Sequence, residues 1–563
     1  MKKILKVFLI YVLFCFSLNA ETIINVPLDS RPISYEYLKN LAAIQGDNVV
    51  NISKNNLDKM NGTIYIKGDT TNIQLELDRL IKEASENDPI VILNCSSYFN
   101  GGLVASRNGD TYNNYTQDFK KLKQTISTYP KAHYYINLTI PRTLPEDRSN
   151  IIWNNDEKLD GLMSFYLKNP DIDNAEVLRF LNNHYSKVSP TQFLMEWSYV
   201  TNKAMLAPWE EEFLNYSTTL IRDTNPEFLT SYENCFKSTY EIAKLLLTLN
   251  QPNVEIIISN DDFQLPNSIF HLYKSAKCSW IDGEKYSFAK TYCDAIKNEI
   301  LSKYGSEVLN EALHGKNERL NFIYGADEVP QLIYARSLSE RQNVASKFNI
   351  FSNSSNIIGR YDVQSADNIV QTDINFINAG KNTLAKDNLI YLFDYNNLQD
   401  KDQYLQNIKY DLQNHSMNTL LIELLKEDTI HCELLDDLIR SKNYNIYDLT
   451  AYSSWNTIGN AIGLGLAHLQ VYNIATNVHM PSHYQMLSQH LIEDGYFRAI
   501  KKHASELNIN PLATPNGSLA HIFDSNLLSK SLKEKQMSLT INEYSFPWQR
   551  AFDCYLDISI NPN

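Results

Sequence analysis

Carboxylates, arginines, amides and glycines gather in this chain just after short apolar, β-prone runs. The groups are Pro27-Leu28-Asp29-Ser30-Arg31-Pro32, Cys95-Ser96-Ser97-Tyr98-Phe99-Asn100-Gly101-Gly102, Thr139-Ile140-Pro141-Arg142, Ser259-Asn260-Asp261-Asp262, Gly325-Ala326-Asp327-Glu328 and Tyr452-Ser453-Ser454-Trp455-Asn456. In parallel α/β proteins, ligands and catalytic groups collect at the carboxyl ends of strands. The pattern predicts one site built from many loops, and an enzyme.

Asp261 and Asp262 follow Glu255-Ile256-Ile257-Ile258, an emphatic strand. Where the backbone turns at a strand end, both carboxylates can face one cavity. Like charges that close raise one pKa and give an acid beside an ionised partner. That division suits glycoside hydrolysis, in which one group protonates the leaving oxygen and another stabilises the developing cation. Turn-capping by either aspartate is the plainer alternative. Glu328 is a third catalytic candidate, although Asp327 can simply cap the following helix and Glu328 favour its positive end.

The remaining candidates bind substrate. Asp29 and Arg31 lie between two stiffening prolines, and an internal salt bridge is their ordinary alternative. Arg107 and Arg142 also follow strands, and with Arg31 they offer planar donor forks for a carboxylate, phosphate or sugar hydroxyls. Arg107 follows Asn100-Gly101-Gly102, where the backbone can approach a ligand. Tyr452 and Trp455 are read as a stacking wall for a sugar ring, with Asn456 and Asn460 on its hydroxyls. The alternative there is a tightly packed strand–helix junction.

Other chemistries find less support. There is no GxSxG elbow, no HExxH and no Walker A loop, and the cysteines show no CxxC spacing for zinc. No cofactor is expected. A divalent cation held by Asp29, Asp261, Asp262, Asp327 and Glu328 is the alternative, since hard cations prefer oxygen ligands.

The positioning elements follow from periodicity. Strands are predicted at Ile23–Pro27, Val49–Ile52, Ile90–Asn94, His133–Leu138, Val254–Ser259, Asn321–Tyr324, Lys347–Phe351, Leu389–Phe393 and Asn445–Leu449. Helices are predicted at Gln74–Ala84, Tyr115–Thr128, Tyr232–Leu249, Tyr286–Lys303, Val329–Leu338 and Ile458–Tyr472. Alternation of the two implies an α/β fold with a largely parallel sheet. A TIM-like barrel is preferred over two doubly wound halves, because polar strand ends recur from first strand to last. The expected organisation is a signal peptide over 1–20 and an α/β domain over 21–475. A helical insertion falls at about 143–230, and a C-terminal appendage of helix and strand at 476–563.

The leader reading rests on Lys2, Lys3 and Lys6 ahead of the apolar Val7–Leu18 run, with Ala20 as the cleavage residue. Export is therefore expected, to the periplasm or beyond, with no membrane span after cleavage. A hydrophobic fraction of 43% is globular, and a net charge of −14 argues against nucleic-acid binding. Of seven cysteines, Cys95, Cys235, Cys278, Cys293, Cys432 and Cys554 follow the leader, and disulfides or buried thiols are equally consistent with them.

Taken together, these clusters resemble a bacterial family known as domain of unknown function 4127. The resemblance is carried by Pro27–Pro32, Gly101–Arg107, Asp261-Asp262, Gly325–Glu328, Trp455–Gly463 and Pro547–Phe552, in order over nearly the whole chain. Two departures stand out. Ser30 replaces a second acidic residue of many members, and the stretch Thr429–Asp437 is degenerate. The family implies no activity. A looser likeness joins Asp261-Asp262 to the catalytic pair of barrel-type β-N-acetylhexosaminidases. It implies that Asp261 orients a substrate acetamido group and Asp262 is the acid/base. The resulting expectation is an exported glycoside hydrolase acting on amino-sugar-containing glycans. The alternatives are a metal-dependent hydrolase of a phosphorylated or acidic substrate, and a non-catalytic glycan-binding protein.

Overall fold

The computed structural model describes residues 20–107 apart from 62–63, 115–141, 226–261 apart from 247 and 250, and 320–353. It further describes 365–414, 417–424, 432–441, 444–496, 525–545, 547–548 and 554–563, with Ile357 and scattered single residues between 195 and 223. Asp262, Arg142, the leader, most of the predicted insertion and the predicted helix Tyr286–Lys303 lie outside these residues.

The first sheet is built from β1 (Thr22–Val26), β2 (Asn48–Asn51), β5 (Ile90–Asn94), β6 (His133–Ile140), β7 (Val254–Asn260) and β8 (Leu320–Phe322). The strands lie in the order β2-β1-β5-β6-β7-β8, and every pairing is parallel. A small antiparallel hairpin, β3 (Lys59–Asn61) with β4 (Ile64–Ile66), projects between β2 and β5. Nearly every residue of β5, β6 and β7 is buried, as expected for strands covered on both faces.

The second sheet is also parallel, in the order β12-β11-β10-β9. Its strands are β9 (Val344–Ser352), β10 (Asn382–Asp394), β11 (Asn418–Leu424) and β12 (Ala451–Ser453). Two cores meet on it. Ile390, Leu392, Leu420, Ile422 and Ala451 join the main core, while Tyr391, Phe393, Leu421 and Tyr452 join a second one. The two-residue alternation of a strand divides them.

The α/β class is as predicted, with largely parallel sheets, but the described residues do not form a barrel. A barrel winds its strands in one direction, whereas β1 lies between β2 and β5, so the first sheet reverses there. The polar strand ends that suggested a barrel recur because all strands of two open sheets are parallel. The reversal creates a switch point between β1 and β5, where open α/β sheets bind ligands.

The helices are α1 (Pro32–Tyr35), α2 (Tyr37–Ala42), α3 (Thr70–Ala84), α4 (Leu103–Arg107), α5 (Thr116–Thr128), α6 (Pro226–Leu246) and α7 (Val329–Gln342). They continue with α8 (Ala366–Ile377), α9 (Lys401–Asn414), α10 (Glu433–Arg440), α11 (Ile458–Ile474), α12 (Met480–His490) and α13 (Ser525–Glu534). α3 is amphipathic and buries Ile73, Leu77, Leu80 and Ile81, and Asp69 caps it by accepting from Asn72 N. α11 is buried nearly all round. It packs against α7, α8 and the second sheet. No described helix is long and apolar enough to cross a membrane.

Two local readings change. Asn445–Leu449 is not a strand. Asn445 and Asp448 form a capping box around the 3₁₀ turn Ile446–Asp448, and the strand begins only at Ala451. β11 was not foreseen. In the described parts of 476–563, α12 packs on α2 and on β14 (Tyr555–Pro562), which pairs antiparallel with β13 (Met537–Ser545).

Candidate functional site

The site starts where β1 ends. Asp29 accepts from Arg31 N at 3.1 Å through Oδ1, and from Arg31 Nε at 2.8 Å through Oδ2. The Arg31 guanidinium reaches on through Nη2 to Asp327 Oδ1, beyond β8. Asp327 Oδ2 accepts from Asn460 Nδ2, on the first turn of α11, at 3.5 Å. All four side chains are buried. Three loops distant in sequence are thereby tied over the carboxyl edge of the first sheet.

Across the switch point, β5 runs into a π-turn, Ser96–Asn100, followed by Gly101 and Gly102 at φ 78° and 127°. Both glycines are needed for shape as well as backbone freedom. A Cβ on Gly102 would sit 2.2 Å from Asp58 Oδ2, and one on Gly101 2.5 Å from Gly68 O. Asp58 accepts from Ser30 N and Tyr65 OH, both at 3.0 Å. Burial, and then the charge of Asp29, push its pKa well above the ordinary carboxylate range. Trp548 Nε1 donates to Ser30 Oγ at 3.0 Å on the same loop. Asp58 was not a sequence candidate. Its only signal was indirect, in the paired glycines that make room for it.

The turn leads into α4, which delivers Arg107 to Asp261. Nε donates to Oδ2 at 2.7 Å and Nη2 to Oδ1 at 2.6 Å, a two-pronged fork. Asp261 is further pinned by its own N–H, which donates to Ile140 O at 2.9 Å. Asn100 Oδ1 accepts from Tyr115 OH at 2.7 Å.

Asp327 feels both salt bridges. Burial raises its pKa most, Arg31 lowers it, and Asp29 and Asp261 raise it again, so its proton is held more tightly than an ordinary aspartate's. The adjacent Glu328 is fully buried and occupies the N-cap position of α7 without capping through its side chain. Two glycines make its place. A Cβ on Gly325 would lie 1.7 Å from Glu328 Oε1, and one on Gly463 2.3 Å from its Cγ.

Five sequence candidates thus share one electrostatic neighbourhood, namely Asp29, Arg31, Arg107, Asp261 and Asp327, with Asn460 at its edge. Arg31 and Arg107 are each engaged with carboxylates. Tyr452 and Trp455 do not make the sugar-stacking wall the sequence suggested. Strand alternation turns Tyr452 into the second core, where its OH donates to Glu423 Oε2 at 2.8 Å, and Trp455 packs into the main core. Asn456 is exposed, at φ 56°. Asp262 and Arg142 lie outside the described residues.

The second sheet has its own buried carboxylate. Glu423, in β11, accepts from Tyr395 OH at 2.5 Å and Tyr452 OH at 2.8 Å, and burial pushes its pKa up to about 7. It went unnoticed because its strand did. At the amino edge of the first sheet, His133, Glu255 and Glu340 converge closely enough for a cation. Arg336 already bridges the two glutamates there, at 3.1 and 3.0 Å.

The chain is thus an α/β protein with a parallel first sheet and a carboxylate–guanidinium cluster at its carboxyl edge. The chain belongs to the family described as protein of unknown function (DUF4127), whose profile matches residues 23–198 and 298–557. Asp29, Arg31, Arg107, Asp327, Glu328 and Asn460 fall inside the matched stretches, and Asn260 and Asp261 in the interval between them. No curated protein and no solved structure matches the chain.

Proposed function

We propose that the protein is an exported glycoside hydrolase acting on amino-sugar-containing glycans. Asp327 is its acid and Asp261 the opposing carboxylate. One observation carries the reading: Asp327, whose pKa burial raises, lies within the field of Asp29 and of the Arg107-bound Asp261. A carboxyl whose pKa is raised chiefly by burial, although Arg31 also holds it, set near a second carboxylate supports the acid and its partner that glycoside hydrolysis uses. The acid role thereby moves from Asp262 to Asp327. Export rests on the leader-like first 20 residues, and it fits a glycan substrate met outside the cytoplasm.

The metal-dependent alternative draws less support. The Arg31 guanidinium holds the place between Asp29 and Asp327 that a cation would need. With both arginines engaged by carboxylates, neither is a ready clamp for a phosphorylated substrate.

The test is a panel of chromogenic glycosides, N-acetylhexosaminides included, assayed with and without EDTA on the wild type, Asp327→Asn and Asp262→Asn. Chelator-resistant turnover lost in Asp327→Asn supports the proposal. Turnover that needs the metal, or that survives Asp327→Asn and dies in Asp262→Asn, overturns the assignment. Glycan binding without turnover in the wild type points to a binding protein.

A further inference from the structure

His133 opens β6, Glu255 is the second residue of β7, and Tyr135 lies opposite Glu255 in the register of the two strands. Strand alternation sets His133, Tyr135 and Glu255 on one face at the amino edge of the first sheet. α7 brings Arg336 and Glu340 to that face from successive turns. One ligand atom from each of His133, Glu255 and Glu340 lies within 4.8 Å of the other two. A second observation singles out the histidine. Its Nε2 is buried, makes no hydrogen bond among the described residues, and stands 3.5 Å from Glu255 Oε1. That is long for a hydrogen bond. Two ligands of a tetrahedral zinc ion, with bonds of about 2.0–2.1 Å, lie about 3.3 Å apart.

Arg336 uses other oxygens. It donates through Nε to Glu255 Oε2 at 3.1 Å and through Nη2 to Glu340 Oε1 at 3.0 Å, which leaves Glu255 Oε1 facing His133. Phe376 holds the guanidinium in place, its carbonyl accepting from Nη1 at 2.9 Å and its ring centred 5.0 Å away. Tyr135 OH donates to Glu340 Oε2 at 2.7 Å, and its ring packs on His133 at 4.6 Å between centroids. Partners of this kind orient carboxylate and imidazole ligands from behind. One guanidinium for two glutamates also leaves the cluster short of positive charge. Burial, and then the charge of Glu255, raise the pKa of Glu340.

We propose that His133, Glu255 and Glu340 bind a divalent transition-metal ion of the zinc type, through Nε2 and one oxygen of each glutamate, and so tie β6, β7 and α7 together. An imidazole with few oxygens suits such an ion better than magnesium or calcium, which take six or more oxygen ligands. The His133 side chain is 37% exposed, so water can fill the remaining position. From Glu255 to Asp261 the chain spans roughly 20 Å, at about 3.3 Å per strand residue. The ion therefore supports the fold away from the carboxyl-edge cluster, and the proposal does not rest on the glycoside-hydrolase reading.

The experiment strips the purified protein with EDTA, removes the chelator, and titrates zinc chloride calorimetrically near neutral pH. Melting temperatures are recorded with zinc, with magnesium and with neither. His133→Ala and Glu340→Gln are measured alongside. The first alters a partly exposed side chain and the second keeps an oxygen for Tyr135, and their metal-free melting temperatures report folding. If one variant fails to fold, the other decides. The expected result is one zinc ion bound per wild-type chain, with affinity at least about tenfold weaker in each folded variant. The wild-type melting temperature should rise with zinc concentration and not with magnesium. A wild type that binds no zinc, zinc bound as tightly by the variants, or equal stabilisation by magnesium overturns the site.

Discussion

Arg107 and Asp261 form a two-pronged salt bridge across the mouth of the first sheet, Nε to Oδ2 at 2.7 Å and Nη2 to Oδ1 at 2.6 Å. The Asp261 side chain is 4% exposed and that of Arg107 16%. Removing the arginine takes the two-pronged fork away from a buried carboxylate. Arg107→Ala is expected to cost near the lower end of about 3–5 kcal/mol, because Arg107 keeps some contact with water. Arg107→Lys restores the charge but not the fork. It should recover part of the stability while activity stays down at least about tenfold, through a misplaced Asp261. Urea unfolding and turnover of the two variants separate these effects.

Glu328 and Gly463 make a second testable contact. A methyl on Gly463 would lie 2.3 Å from Glu328 Cγ and 3.1 Å from its Cβ. Gly463→Ala is therefore expected to destabilise by about 1–3 kcal/mol through overpacking, despite the better helix propensity of alanine. Glu328→Ala removes the nearest obstructing atom, Cγ. In the double variant the cost of the alanine should largely vanish, a coupling that a double-mutant cycle in urea measures directly. Additive losses would show that the crowding lies elsewhere.

What the sequence disclosed depended on how local the signal was. β5 was read with its exact span, and β1, β6 and β7 to within a residue or two, because each is a continuous apolar run. Asp29, Arg31, Asp261 and Asp327 were legible as strand-end residues, and the structure brings them into one neighbourhood. What joins them was not. The Arg31–Asp327 contact spans 296 residues and Arg107–Asp261 spans 154, and no periodicity encodes a distance of that kind. The reversal of strand order at β1 is equally non-local, so the parallel strands read as a barrel. Tyr452 was misjudged because an aromatic beside a strand end can face either core, and its partner Glu423 lay in a strand that went unread.

A histidine pair sets one pH limit. His468 Nε2 and His483 Nδ1 lie 3.2 Å apart, both buried, among Tyr472, Tyr484, His490 and, through His490, Asp494. Burial lowers both pKa values, that of His483 to about 3 and that of His468 well below the ordinary range, with the neighbouring His483 and His490 lowering His468 further. A base depressed in the folded state contributes stability above its unfolded pKa, about 6.5. That stability is lost as pH falls toward the folded value. The urea midpoint of the wild type should decline from pH 6.5 downward, and His483→Gln should flatten part of that slope. An unchanged slope in the variant would assign the acid limb to other groups.

Glu423 acts in the opposite sense. Burial raises its pKa from 4.5 to about 7, even though Tyr395 and Tyr452 donate to it. A carboxyl raised in the folded state contributes stability that is complete below the unfolded pKa and is lost as pH rises through the folded one. The window is therefore pH 4.5 to about 7, and above it the folded state holds a buried anion that the unfolded chain would solvate. The cost there is on the order of 3 kcal/mol, taking about 1.4 kcal/mol for each pKa unit. Glu423→Gln keeps an acceptor for one tyrosine, gives the amide a neighbouring hydroxyl to donate to, and cannot ionise. Urea midpoints at pH 5 should be close for wild type and variant, whereas at pH 8 the variant should be the more stable. A constant difference across that range would mean that the two tyrosines, and not the ionisation of Glu423, govern the site.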